Sequence, residues 1–373
     1  MKIPRDRYRQ RQKRHRTGLQ ARRAPFVYSP RHASLLLAQR RQNRFFADRV
    51  NSLRLLAANS DEPLFSAPEI VHPRRPPDIA SMVGPRLAPK AGFHSLIRAM
   101  RLTGLFLYPV KSLGGISVPS ASLDALGLVG DRRFLVVDES GRFLTQRTLP
   151  RMALVATALD ATHLTLSTSA SASLRIPRAS DPSAPLRTVS VWQSENLLAE
   201  DCGEPAAAFL SDFLNTRCRL VRIGPAFHRP IPKPSARSGD TVTFADSHPL
   251  LVIGESTLAD LNDRLLARGA AALPMDRFRP NLVVAGAPAF AEDTWPRLRI
   301  GGTAVFRAGG PCARCTITTT DQATGERDGP EPLRTLATYR RDAADPTDVN
   351  FGQNLIHETK SGTLSVGDAV LPL

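Results

Sequence analysis

Short interleaved runs of apolar residues dominate the chain from residue 101 onward. Leu105 and Leu107 interleave with Phe106 and Tyr108 until Pro109 ends the run. RFLVVD (133–138), the turn Glu139-Ser140-Gly141 and RFLTQR (142–147) read as a hairpin, with β-branched and aromatic residues flanking a glycine-containing turn. HLTLSTSASASLRIP (163–177) and RTVSVW (187–192) continue in that style, and NLVVAG, LRIGGTAVFRAG and GTLSVGDAVLPL resume it near the C-terminus. Such evenly spaced short strands predict barrels or sandwiches rather than a parallel sheet. Helical spacing occurs twice. Phe209, Leu210, Phe213 and Leu214 follow Glu204-Pro205, and Leu258, Leu261 and Leu265 follow a predicted Ser256 cap and end before Gly269. The pattern predicts a mostly β (α+β) protein with few helices and two β-barrel-like domains, over 100–220 and 221–373.

The first hundred residues lack this patterning. RDRYRQRQKRHR and similar Arg-rich stretches give way to Pro63, Pro68, Pro73, Pro76, Pro77, Pro85 and Pro89, which cannot sustain helix or ladder. We expect 1–99 to be a disordered basic extension. Charge sharpens the division. Residues 1–100 hold 21 Lys and Arg against 6 Asp and Glu; residues 101–373 hold 29 against 28, although the whole chain of 373 residues carries +16. A nucleic-acid arm would gain from counterion release, but no aromatic interleaving accompanies the arginines, so nucleic acid is not an expected partner. A transit peptide would be Arg-rich and acid-poor in this way. The reading adopted is an extension with no folded role, including an over-long start, in a cytoplasmic protein; organelle targeting is the alternative if the segment is a transit peptide. No run approaches the ~18 apolar residues of a membrane helix, so no transmembrane segment is expected. Four cysteines (Cys202, Cys218, Cys312, Cys315) do not make a disulfide scaffold in so long a chain.

Candidate chemistry begins at Pro311-Cys312-Ala313-Arg314-Cys315. Structural zinc needs two further ligands, and Cys202 and Cys218 form no second knuckle. A redox dithiol would open a helix, whereas TITTTD (316–321) reads as strand. Cys312 is best taken as a small buried hydrophobe. Arg314 adjoins Cys315, and a guanidinium favours the thiolate that ligates a soft or high-valent metal. Two other basic groupings stand out. Lys111-Ser112 ends the first strand, Lys111 being one of three lysines after residue 100, and Arg277-Phe278-Arg279-Pro280-Asn281 precedes a buried one. Cationic forks, a point charge and amide donors suit a phosphate or polar heterocycle; surface ion pairing is the competing account.

YPVKS, GDRRF, FLTQR, RFRPNLVV, EDTW, the CARC run, NFGQNL and GTLSVGD, in that order over 101–373, resemble the MOSC family with its N-terminal β-barrel partner domain. Within it the chain is most similar to the mitochondrial amidoxime-reducing component and its bacterial counterparts. The resemblance implies a molybdenum cofactor (Mo-molybdopterin) in a cleft between two β-domains and reduction of small N-hydroxylated substrates. It implies that Cys315 ligates molybdenum with Arg314 flanking the metal, that Lys111, Ser112 and Arg132 hold the pterin and its phosphate, and that Arg279 and Asn281 contact the cofactor. Ser256 and Thr257 fall near a family cofactor loop. Ala313 stands where close relatives carry serine. No cysteine follows Cys315 and no GxGxxG follows a strand, so electrons are expected from a separate ferredoxin- or cytochrome-type carrier with its reductase. The alternatives are a sulfur carrier in molybdenum cofactor maturation, as in the sulfurases that share the fold, or a non-catalytic cofactor carrier.

Overall fold

The structure, a computed structural model, describes residues 99–169, 172–327 and 329–373. The expectation of a disordered extension over 1–99 therefore lies outside the described residues, apart from Ala99. The described chain is mostly strand, with curled half-barrel sheets and three α-helices, α1 (Glu204–Leu214), α2 (Glu255–Ala267) and α3 (Leu333–Leu336). None is long and apolar enough to cross a membrane.

The largest sheet has eight strands in the order Val370–Pro372, Arg297–Ile300, Ala304–Ala313, Asn350–His357, Leu250–Gly254, Leu282–Ala285, Arg101–Leu107 and Ile116–Ser117. All neighbours are antiparallel except 250–254 with 282–285. The first strand pairs on one side with the short Ile116–Ser117 and on the other with the distant Leu282–Ala285, which brings the YPVKS segment beside the RPN segment. A second sheet orders Phe134–Val137, Arg219–Arg222, Ser194–Asp201 and Leu186–Val191. Ala156–Leu159, His163–Ser167 and Ser173–Pro177 form an antiparallel meander. The return after Gly141 is slighter than its sequence predicts. Phe143 makes one bridge to Val137 and Leu144 donates to the Val136 carbonyl (2.8 Å), after which Gln146 and Arg147 turn into side-chain contacts.

Both longer helices lie where apolar spacing predicts them. α1 carries Pro205 in its first turn, buries Ala206, Leu210 and Leu214, and ends at Asn215 in the left-handed region. In α2, Leu261 and Leu265 are buried, but Ser256 is not the cap. Gly254 occupies that place, and its N–H donates to Glu292 Oε1 (3.1 Å). No side chain caps the first turn; the buried Glu292 carboxylate from a distant loop holds the Gly254 N–H instead.

The strand expected over TITTTD is instead a 3-10 turn, Thr316–Thr319. Thr318 Oγ1 donates to the Cys315 carbonyl (2.9 Å) and Thr319 Oγ1 to the Thr316 carbonyl (2.8 Å). Hydroxyls returning three residues compete with a ladder and override the β preference of threonine. The preceding strand, Ala304–Ala313, is broken by register shifts at 308/310 and 311/313 against its partner. Bulges of this kind bend a strand and re-aim its side chains; these carry Cys315 off the sheet.

Candidate active site: a basic cluster around Cys315

Six positions singled out in the sequence, Lys111, Ser112, Arg132, Arg279, Asn281 and Cys315, converge with residues not singled out there. Lys111 is buried and pairs with the Asp246 carboxylate, which also accepts from Arg147 Nη2 (3.2 Å) and Trp192 Nε1 (3.0 Å). Burial pushes the Lys111 ammonium down to about 8, against the pull of Asp246. Lys111 and Arg147 hold the half-exposed Asp246 carboxyl far below the usual range. Arg147 is charged more firmly than an ordinary arginine: burial works against it, and Asp246 and the adjacent Cys315 outweigh that cost. Arg147 Nη1 is buried with no acceptor.

Tyr108 organises the second half of the cluster. The guanidinium carbons of Arg132 and Arg279 lie over its ring at 4.5 and 4.2 Å. Its hydroxyl donates to the Pro280 carbonyl (3.1 Å), and burial raises the phenol to about 12 despite the two cations. Arg132 donates to Asp131 (2.6 Å) and to Asn281 Oδ1 (2.8 Å), whose amide nitrogen reaches the Phe106 carbonyl (3.1 Å). Asn281 therefore ties Arg132 to two strands of the large sheet. Burial lowers Arg279 to about 10. Its Nη1 reaches Gln322 (3.4 Å), which exchanges amide hydrogen bonds with Gln146 (3.1 and 3.0 Å). Gln146 donates in turn to the Ser112 carbonyl (2.9 Å). Arg229, fully buried, donates only to neutral oxygens: Ser194 Oγ (3.0 Å) and the carbonyls of Thr243 (2.7 Å), Ala245 (2.5 Å) and Asp246 (2.9 Å). The Asp246 loop is thus clamped by a fifth cation.

Backbone strain gathers in the same place. Of seven described non-glycine residues with positive φ, four are Ser112 (67°), Arg132 (47°), Trp192 (56°) and Arg279 (53°). Conformations of this kind cluster at ligand clamps, where the surroundings over-determine them.

Three expected residues lie elsewhere. Arg314 donates to Cys312 Sγ (3.0 Å) and the Phe278 carbonyl (2.7 Å); the guanidinium beside Cys315 is that of Arg147. Thr257 is fully buried, donating to Glu292 (2.9 Å) and accepting from Phe290 N–H (2.8 Å). Ser256 occupies the first turn of the same helix. Cys312, expected to be a small buried hydrophobe, is half-buried: it packs against the cluster formed by Leu251, Phe278 and Phe351 while its sulfur accepts from Arg314. Among the described residues no group of three or more His, Cys, Asp and Glu side chains could by itself hold a metal ion.

Two family models match the chain: the MOSC N-terminal beta barrel domain over 99–217 and the MOSC domain over 239–371. Mitochondrial amidoxime-reducing component 1 of Mus musculus is 38% identical over 284 residues, covering 71% of this chain and 80% of that one. The human protein of that name is 35% identical over 281 residues, covering 71% and 81%. The chain belongs to the MOSC family. Molybdenum cofactor sulfurase of Danio rerio is 33% identical over 291 residues, covering 73% of this MOSC protein and 34% of the sulfurase. Membership implies association with a molybdenum cofactor, and the cluster suits an anionic group of that kind. Lys111, Arg132, Arg147, Arg229 and Arg279 face three carboxyls, Asp131, Asp246 and Asp276, the last pushed up by burial, and one buried Arg147 N–H lacks an acceptor.

Arg147, Gln146, Asp246 and Trp192 escaped the sequence reading for distinct reasons. FLTQR ends in Gln146-Arg147 but serves there only as a strand and family marker. Asp246 and Trp192 sit in a loop and a turn without periodicity, and their meeting depends on Arg229 and the 186–201 hairpin.

Proposed function

We propose that this MOSC protein is a molybdenum-cofactor-binding oxidoreductase that reduces N-hydroxylated compounds with electrons from a separate carrier protein. The observation that carries the reading is the surplus of buried cations around one half-buried thiol, with Arg147 directly beside Cys315. In this reading Cys315 is the protein's ligand to molybdenum, and Lys111, Arg132 and Arg279 neutralise the phosphate of the pterin. Bound there, the cofactor supplies the two-electron chemistry by which N–OH, two electrons and two protons become N–H and water. Arg147 places a firmly charged guanidinium beside the Cys315 sulfur and keeps one buried N–H without an acceptor. Tyr108 fixes the planes of Arg132 and Arg279 so that no reorganisation is needed on binding. The names of the mouse and human relatives support amidoxime-type substrates. They are also named as mitochondrial, which favours the organelle alternative for the Arg-rich segment over a cytoplasmic one.

The test is expression in a host that makes the cofactor, followed by molybdenum and pterin assay and reduction of an amidoxime with an artificial electron donor. Near-stoichiometric molybdenum with turnover is expected; a metal-free product from such a host overturns the reading. The sulfurase match favours a second reading, sulfur carriage by Cys315. Sulfane-sulfur labelling of that residue, with no N-hydroxy reduction, would establish it.

A further inference from the structure

Trp192 is 47% exposed, although it lies at the edge of a buried polar cluster. It holds a left-handed backbone conformation (φ 56°) that a bulky aromatic residue rarely adopts, at the tip of the hairpin joining Leu186–Val191 to Ser194–Asp201. The turn throws the indole over the site. Its N–H donates to Asp246 (3.0 Å), the Arg147 guanidinium stacks on it at 4.5 Å, and Phe143 meets it edge-on at 5.1 Å. Side-chain exposure falls steadily inward, from Asp246 (50%) to Arg147 (21%) to Lys111 (6%). Trp192 and Cys315 flank the same guanidinium, and the indole is the more exposed of the two. Nothing in the core requires a large aromatic here, since the side chain buries little more than half its surface.

We propose that Trp192 is the specificity-determining wall of the site's mouth, stacking on flat, conjugated N-hydroxylated substrates such as aryl amidoximes and favouring them over aliphatic ones. This rests on the reductase reading and adds to it a substrate preference and the residue that sets it. The π-face of the indole rewards a planar ring, Phe143 extends the apolar surface, and Arg147 holds the indole in register with Cys315.

The chain has two tryptophans, and the other, Trp295, is 5% exposed in the core of the large sheet. Intrinsic fluorescence therefore reports on Trp192 even before any turnover is measured. Titration with benzamidoxime should quench the exposed emission saturably, whereas acetamidoxime should not, and Trp192→Phe should leave only the unresponsive Trp295 signal. In cofactor-loaded protein, Trp192→Leu should raise KM for the aryl substrate about three- to tenfold, with a smaller change for the aliphatic one, and Trp192→Phe should restore most of the preference. Absence of quenching, or an equal loss for both substrates, overturns the proposal, as does loss of molybdenum from Trp192→Leu, which would make the indole a strut for Asp246. Full molybdenum loading without reduction of any N-hydroxy compound overturns the reductase reading instead, and the fluorescence titration separates the two failures.

Discussion

Lys111 sets the behaviour of the site with pH. Its ammonium is buried and titrates at about 8, more than two units below an ordinary lysine. An anionic phosphate placed beside it restores the charged form, so binding takes up a proton once the free protein has lost it. Affinity is then fully present below pH 8 and falls as pH rises through and above that value, by up to tenfold per unit. Pterin fluorescence of released cofactor, followed from pH 6.5 to 9.5, should show this slope, and Lys111→Met should flatten it at a lower retention. The sulfurs divide the roles similarly. Cys315→Ser should abolish reduction, while Cys312→Ser, altering a side chain packed against Phe278 and Phe351, should keep most of it. Steady-state assay of both variants at equal pterin content makes the comparison; the reverse outcome would assign the metal to the sulfur that Arg314 contacts.

At the scale of elements, the bulged end of Ala304–Ala313 decides where Cys315 goes. Gly309 is required there because a Cβ would stand 2.5 Å from His248 Cδ2, and His248 is buried between Ser235 (3.0 Å) and Ser247 (2.9 Å). Gly309→Ala should destabilise the fold by about 1–3 kcal/mol through this overpacking, read as a lowered denaturant midpoint at unchanged m-value. Strands and both longer helices were legible because period two and period 3.6 survive in single sequences: Leu210 with Leu214, and Leu261 with Leu265, are buried as their spacing requires. TITTT was misread because threonine's strand preference lost to hydroxyl bonds with its own backbone. Ser256 reads as a cap in the sequence, but Gly254 takes that place because its own N–H is held by Glu292, which is distant in sequence. Lys111, Arg132, Arg279 and Cys315 were legible as chemistry, whereas Arg147 and Asp246 acquire theirs only when the 142–147 return, the 243–246 loop and the CARC turn meet.

For the whole molecule, charge and family separate cleanly. The excess of basic residues lies in 1–100, and the family match begins at residue 99. A variant lacking residues 1–98 should keep cofactor content and N-hydroxy reduction, since every residue given a role in the site lies within 99–373, and should lose any salt-sensitive affinity for nucleic acid. Gel-shift and activity assays on the same preparation check both halves. Within 99–373, residues from the two matched domains share one cluster: Arg132 on one side bonds Asn281 on the other at 2.8 Å. Separating the two halves would divide Lys111, Arg132 and Arg147 from Arg279 and the Cys315 thiol.

X-ray absorption at the molybdenum edge of the loaded protein tests that arrangement most directly. A single protein sulfur in the metal's first coordination sphere, lost in Cys315→Ser and retained in Cys312→Ser, is the expected result. A sulfur count unchanged by replacing Cys315 would contradict the account.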